Sequence, residues 1–70
     1  MDANRFHNTK EAARQIGVGV AALSHAVWEG RVPEPMRAPN KAFLWTEHDM
    51  DKAAWVLRRR SLDDIRAERE

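Results

Sequence analysis

The 70-residue chain contains no cysteine. Disulfide staples, thiolate zinc sites and cysteine nucleophiles are therefore excluded. Long apolar runs are missing too: none approaches the roughly 20 residues needed to cross a bilayer. The opening Met1-Asp2-Ala3-Asn4 is acidic and polar where a secretory signal is basic and then apolar. The expectation is a cytoplasmic protein with no membrane partner. Charge of one sign is also scarce, since 12 Lys+Arg stand against 11 Asp+Glu, a net of +1. What remains is a globular composition with 43% apolar residues, which excludes a disordered tail. At this length a single core supplies only roughly 3–5 kcal/mol. Residues 1–70 therefore read as one domain, too small for an elaborate active site.

The small net charge hides an uneven distribution. Residues 1–30 balance, with Arg5, Lys10 and Arg14 against Asp2, Glu11 and Glu29. Residues 31–45 carry Arg31, Arg37 and Lys41 against Glu34, an excess of +2. Residues 46–70 hold six basic and seven acidic groups, including the knot Arg58-Arg59-Arg60. Arginine outnumbers lysine nine to three, and its planar fork suits phosphates and base edges better than a point charge does.

The few glycines and prolines, three of each, punctuate the chain. Asn8-Thr9-Lys10-Glu11 reads as a helix start, with Asn8 or Thr9 as cap and Glu11 placed as in a capping box. Ala12, Ala13 and Ile16 form its apolar stripe. Gly17-Val18-Gly19 ends that helix, and a second follows with Val20, Leu23 and Ala26 or Val27 turned inward and Gly30 closing it. Pro33, Pro35 and Pro39 exclude helix from the next stretch. There Met36-Arg37 and Ala42-Phe43-Leu44-Trp45 flank the turn Ala38-Pro39-Asn40-Lys41 as a hairpin. Thr46 caps a third helix, with Asp49 repeating the capping geometry and Met50, Ala53, Ala54 and Leu57 buried, while Asp51, Lys52 and Arg58 face out. Ser61-Leu62-Asp63-Asp64 is a further N-cap signal, where the helix kinks or restarts before a charged, fraying end from Arg66 to Glu70. The expected elements are helices over about 9–16, 20–29 and 47–60, a hairpin over about 34–45, and an extension or frayed tail over 61–70. The fold class is mainly α with a small β-hairpin.

An ordered series of these residues resembles a known group. Thr9-Lys10-Glu11-Ala12-Ala13, Ile16-Gly17-Val18, Ala22-Leu23 and Trp28-Glu29-Gly30-Arg31-Val32-Pro33 are similar to the pattern of small winged-helix proteins of the MerR-like and excisionase-like group. Phe43-Leu44-Trp45-Thr46 with Asp49 looks like that group's second wing strand running into its last helix. The resemblance covers roughly residues 8 to 58. It implies a winged helix-turn-helix fold and binding to double-stranded DNA without a cofactor. The second helix then enters a major groove, presenting Ala21, Ala22, Ser24, His25 and Trp28. The backbone and wing contacts it implies are Thr9, Lys10, Arg31, Arg37, Asn40 and Lys41. Where the group has Gly-Val-Ser-Arg, this chain has Gly17-Val18-Gly19-Val20, and its second helix has almost no charge with which to read guanine edges. That pattern fits reliance on phosphate contacts, DNA shape and cooperative neighbours.

Each of these residues also has a plainer use. Ser24 and His25 suit an ordinary polar helix surface, and Thr9 and Lys10 ordinary solvent exposure. Arg37 and Lys41 on a hairpin edge guard against strand-to-strand aggregation. Arg31 and Arg58-Arg59-Arg60 complement helix C-termini as well as phosphates. Trp28 is either a half-buried plate against the wing or an exposed surface for a neighbouring subunit; Trp45 and Trp55 are expected in the core, with Trp55 off the Met50, Ala53 and Leu57 stripe and so open to some exposure.

Catalysis finds no foothold. His7, His25 and His48 lack metal-ligand spacing, and the neighbours Ser24 and His25 point in different directions. No glycine-rich phosphate loop or small-molecule site is visible. MerR-type regulators add a ligand domain and a long coiled coil, for which 70 residues leave no room. The resemblance thus narrows to an excisionase, a recombination directionality factor that bends DNA and assists an integrase. That role implies weak head-to-tail self-association on tandem sites. A small phage or plasmid transcriptional regulator, or a protein-interaction module using Trp28 and the wing, are the alternatives.

Overall fold

The computed structural model describes residues 6–69. The polar opening segment, Arg5 and Glu70 lie outside the described residues, as does the Arg69 side chain. Among the described residues, four helices and one two-stranded antiparallel sheet occur in the order α1 (Thr9–Ile16), α2 (Val20–Trp28), β1 (Met36–Arg37), β2 (Phe43–Leu44), α3 (Glu47–Arg58) and α4 (Leu62–Arg69). None of the described helices is long and apolar enough to cross a membrane.

The helix ends are set by local chemistry. Asn8 caps α1 by accepting the Glu11 N–H at 2.7 Å. Gly17, at φ +89°, ends α1 in the left-handed region that L side chains resist. Thr46 and Asp49 form a full reciprocal capping box on α3, at 3.0 and 3.1 Å. Within β1–β2, Met36 pairs with Leu44 and Arg37 with Phe43. The turn between them is closed by Ala38 N–H to Ala42 O at 2.7 Å and by Asn40 Oδ1 accepting from Ala42 N–H at 3.1 Å.

Helix α1 is central and packs against α2, α3 and α4. The core comprises Ala12, Ala13, Ile16, Leu23, Ala26, Val32, Trp45, Met50, Ala53, Ala54, Leu62 and Ile65. Five of these are alanines, so much of the core is filled by small side chains on facing helices. Trp45 is the largest fully buried side chain. Its indole N–H donates to Thr9 Oγ1 at 3.1 Å, and its backbone exchanges two 2.8 Å hydrogen bonds with His7. The segment before α1 is thereby stitched to the end of the hairpin.

Several expectations need correction. Helix α3 ends at Arg58, because Arg59 adopts a left-handed conformation at φ +58°. Of the two alternatives open for 61–70, a helical extension and a frayed tail, the described residues form the helix, Leu62–Arg69. Leu62 and Ile65 close the core, Asp51 accepts the Leu62 N–H at 2.8 Å, and Ser61 accepts the Asp64 N–H at 3.0 Å. Arg66 holds α4 to the body by a two-pronged bond to Glu47 at 2.7 and 2.9 Å and a third bond to Gln15 at 3.1 Å. Asp51 and Arg58 thus have structural partners instead of simply facing out. Val20 is 44% and Trp55 52% exposed, because Leu23 and Ala26, and Met50, Ala53 and Ala54, already fill the inward positions.

Candidate nucleic-acid interface

The outward side of α2 carries Ala21, Ala22, Ser24, His25 and Trp28, all exposed, while Leu23 and Ala26 anchor the helix below. Leu23 and Ala26 are three apart and so share one side of the helix, which forces the intervening Ser24 and His25 outward. Trp28 is 84% exposed, which decides between the two positions open to it: it is not a plate against the hairpin. Its ring lies nearly parallel to that of His25, 6.2 Å between centroids and 20° between planes. His25 Nε2 also approaches Glu29 Oε2 at 3.4 Å, one turn on.

The hairpin stands beside this helix. Ser24, Val27 and Trp28 look across an open groove of about 350 Å³ at Glu34, Arg37 and Phe43. Arg37 and Phe43 are register partners on neighbouring strands, so their side chains share a face of the sheet. The Arg37 guanidinium sits over the Phe43 ring, 4.6 Å from its centroid.

The basic residues of the region divide into committed and free. Arg37 is held by Glu34 at 2.6 and 3.1 Å and reaches the Lys41 carbonyl at 3.4 Å. Arg31 is held by Glu29 at 3.0 Å. Lys10 at the start of α1 and Lys41 in the hairpin turn are exposed and make no ion pair among the described residues. Thr9, expected at a phosphate, has its hydroxyl engaged by Trp45, and Asn40 uses its carbonyl oxygen within the turn. The Arg58-Arg59-Arg60 knot is dispersed: Arg58 donates to Ile16 and Gly17 carbonyls, and Arg60 pairs with Glu68. Among the described residues no group of His, Asp or Glu side chains is arranged to hold a metal ion.

No protein-family model matches this chain, and no curated protein matches it either. The site therefore rests on its geometry.

Of the residues singled out from sequence, the structure brings Ser24, Trp28 and Arg37 to one groove, while Lys10 and Lys41 are exposed cations that do not line it. Three participants were missed. Glu29 and Glu34 neutralise the two arginines, and the i, i+3 spacing of Glu34 and Arg37 was the available signal. Sequence places Phe43 only in a strand, and its role as the surface beneath Arg37 depends on the hairpin register.

Proposed function

We propose that the chain is a winged-helix protein that binds double-stranded DNA, with α2 in the major groove and the β1–β2 hairpin alongside as the wing. The observation that carries this reading is the exposed Ala21–Ser24–His25–Trp28 side of α2, open to solvent and continuous with the hairpin across the groove. The order of elements supports it as well, with two helices joined by a glycine turn, a hairpin, and a further helix. Lys10 and Lys41 supply phosphate contacts; Arg31 and Arg37 add theirs by exchanging Glu29 and Glu34 for phosphate oxygens.

Few free cations and an uncharged reading helix make a weak binder in single copy. Such a protein gains occupancy through neighbours on tandem sites. This, together with the sequence resemblance, favours an excisionase-type role in which several copies bend DNA and assist an integrase, ahead of a small phage or plasmid transcriptional regulator. A gel-shift titration on a long duplex tests both levels. A ladder of shifted bands that weakens as salt rises supports cooperative DNA binding. The absence of a shift at micromolar protein, or a shift indifferent to salt, contradicts it. One observation favours a protein-interaction module instead: Trp28 is a large apolar side chain standing in water.

A further inference from the structure

We infer that the outward side of α2 reads thymine 5-methyl groups in the major groove, with Trp28 as the outermost reading residue. A·T-rich duplexes are then the preferred substrate class. The inference rests on the DNA-binding reading above and deepens it.

Each base pair offers a distinct set of groups in the major groove. Guanine offers two acceptors and is read by the paired donors of Arg or Lys, and adenine is read by the amide of Asn or Gln. The exposed side of α2 has none of these four residue types. Cytosine offers an amino group that wants a carboxylate. Helix α2, Val20–Trp28, carries no carboxylate, and Glu29 lies past its end as the C-cap. The helix does present the methyls of Ala21 and Ala22, the hydroxyl of Ser24, and two stacked rings. Thymine alone among the bases puts an apolar group into the major groove, so it alone is matched by methyls and an indole.

Trp28 is arranged to do this. The residue is 84% exposed and its ring lies nearly parallel to that of His25, 6.2 Å between centroids, so the apolar surface is available beside a second ring. Val27 and Phe43 continue that surface along the groove toward the hairpin. Ser24 and His25 add donors and acceptors that suit any base edge and so fix position without selecting guanine.

The test uses deoxyuridine, which is thymidine without the 5-methyl group. The full chain and its Trp28→Ala and Trp28→Phe variants are titrated against two short duplexes of the same alternating sequence, one with A·T and one with A·U pairs. The wild type should bind the A·T duplex more tightly by about fourfold for each methyl contacted. Trp28→Ala should bind A·T more weakly and lose most of the preference over A·U, and Trp28→Phe should recover part of it. Folding is not at issue, because the Trp28 side chain lies outside the core, and circular dichroism verifies it. Equal binding of both duplexes by the wild type, or a full A·T preference kept by Trp28→Ala, overturns the inference while leaving DNA binding standing. No salt-dependent binding to either duplex overturns the DNA-binding reading and this inference with it.

Discussion

Arg58 Nη1 donates to the carbonyls of Ile16 at 3.1 Å and Gly17 at 3.3 Å, the unpaired end of α1. A cation at a helix C-terminus meets both the dipole and the orphan carbonyls. Arg58→Ala should therefore lower stability by about 1–2 kcal/mol in urea unfolding. Gly17→Ala forces a methyl into the left-handed region, costing about 1–2 kcal/mol, and drives that methyl against the same guanidinium. The two substitutions should combine to less than their sum, because removing Arg58 clears the collision and leaves only the backbone cost. Full additivity would show that the guanidinium does not sit there. Trp28→Ala belongs at the other extreme. With 84% of the residue in water, the unfolding midpoint should move by less than about 0.5 kcal/mol. A larger loss would place the ring in the core.

The helices differ in how firmly their ends are tied. Helix α2 starts at Gly19, which provides no side-chain cap, whereas Asn8, Thr46 and Ser61 cap the other three helices. Gly19 has an ordinary φ of −72°, and a Cβ there meets nothing within 4 Å. Gly19→Ser should thus stabilise the protein by about 0.5–1 kcal/mol, through a new cap and a less disordered unfolded chain. Thermal unfolding checks it, and a fall in midpoint would mean that the α2 start is held by something else. The join of α4 to the body is electrostatic as well as apolar. Arg66, hydrogen-bonded to Glu47, holds the Glu47 carboxyl below the usual carboxylate range, its positive charge adding to the effect and His7 contributing least. A carboxyl lowered in the folded state stabilises above its unfolded value, about 4.3, and loses that contribution as pH falls through the folded value. Both partners are partly exposed, so Glu47→Gln should cost about 0.5–1 kcal/mol near neutral pH. The two proteins should converge in stability at acid pH, and a gap that persists there would contradict the pairing.

Across the whole molecule, the sequence made the element order legible because punctuation and periodicity agree. Asn8, Gly17, Thr46 with Asp49, and Ser61 all mark the boundaries they announced, and the Ala12–Ala13–Ile16 stripe is wholly buried. The helical restart at Leu62 was visible in Ser61 and Asp64, but its firmness was not. Asp51 and Glu47 secure it from a distant helix, and pairings over 11 and 19 residues leave no local pattern. The site was legible only in outline. Exposure of Ser24 and His25 followed from helical spacing, whereas the engagement of Thr9 by Trp45, 36 residues away, depends on tertiary packing. The same holds for charge: the +2 excess of residues 31–45 is partly spent on Glu29–Arg31 and Glu34–Arg37 pairs.

That partition predicts a shallow salt response. Log affinity should fall with log salt by about 2 if only Lys10 and Lys41 meet phosphates, and by about 4 if Arg31 and Arg37 leave their glutamates. The central claim is that the open side of α2 faces DNA. The most direct measurement compares the wild type with the Ser24→Glu/His25→Glu variant by fluorescence anisotropy on the same duplex at low salt. Both positions are exposed, so the variant should stay folded, losing no more than about 1 kcal/mol to the new repulsion between position 25 and Glu29, while its DNA binding is abolished, because two carboxylates would be driven against the phosphates and acceptor edges of the groove. Undiminished DNA binding by a folded double-glutamate variant would contradict the account.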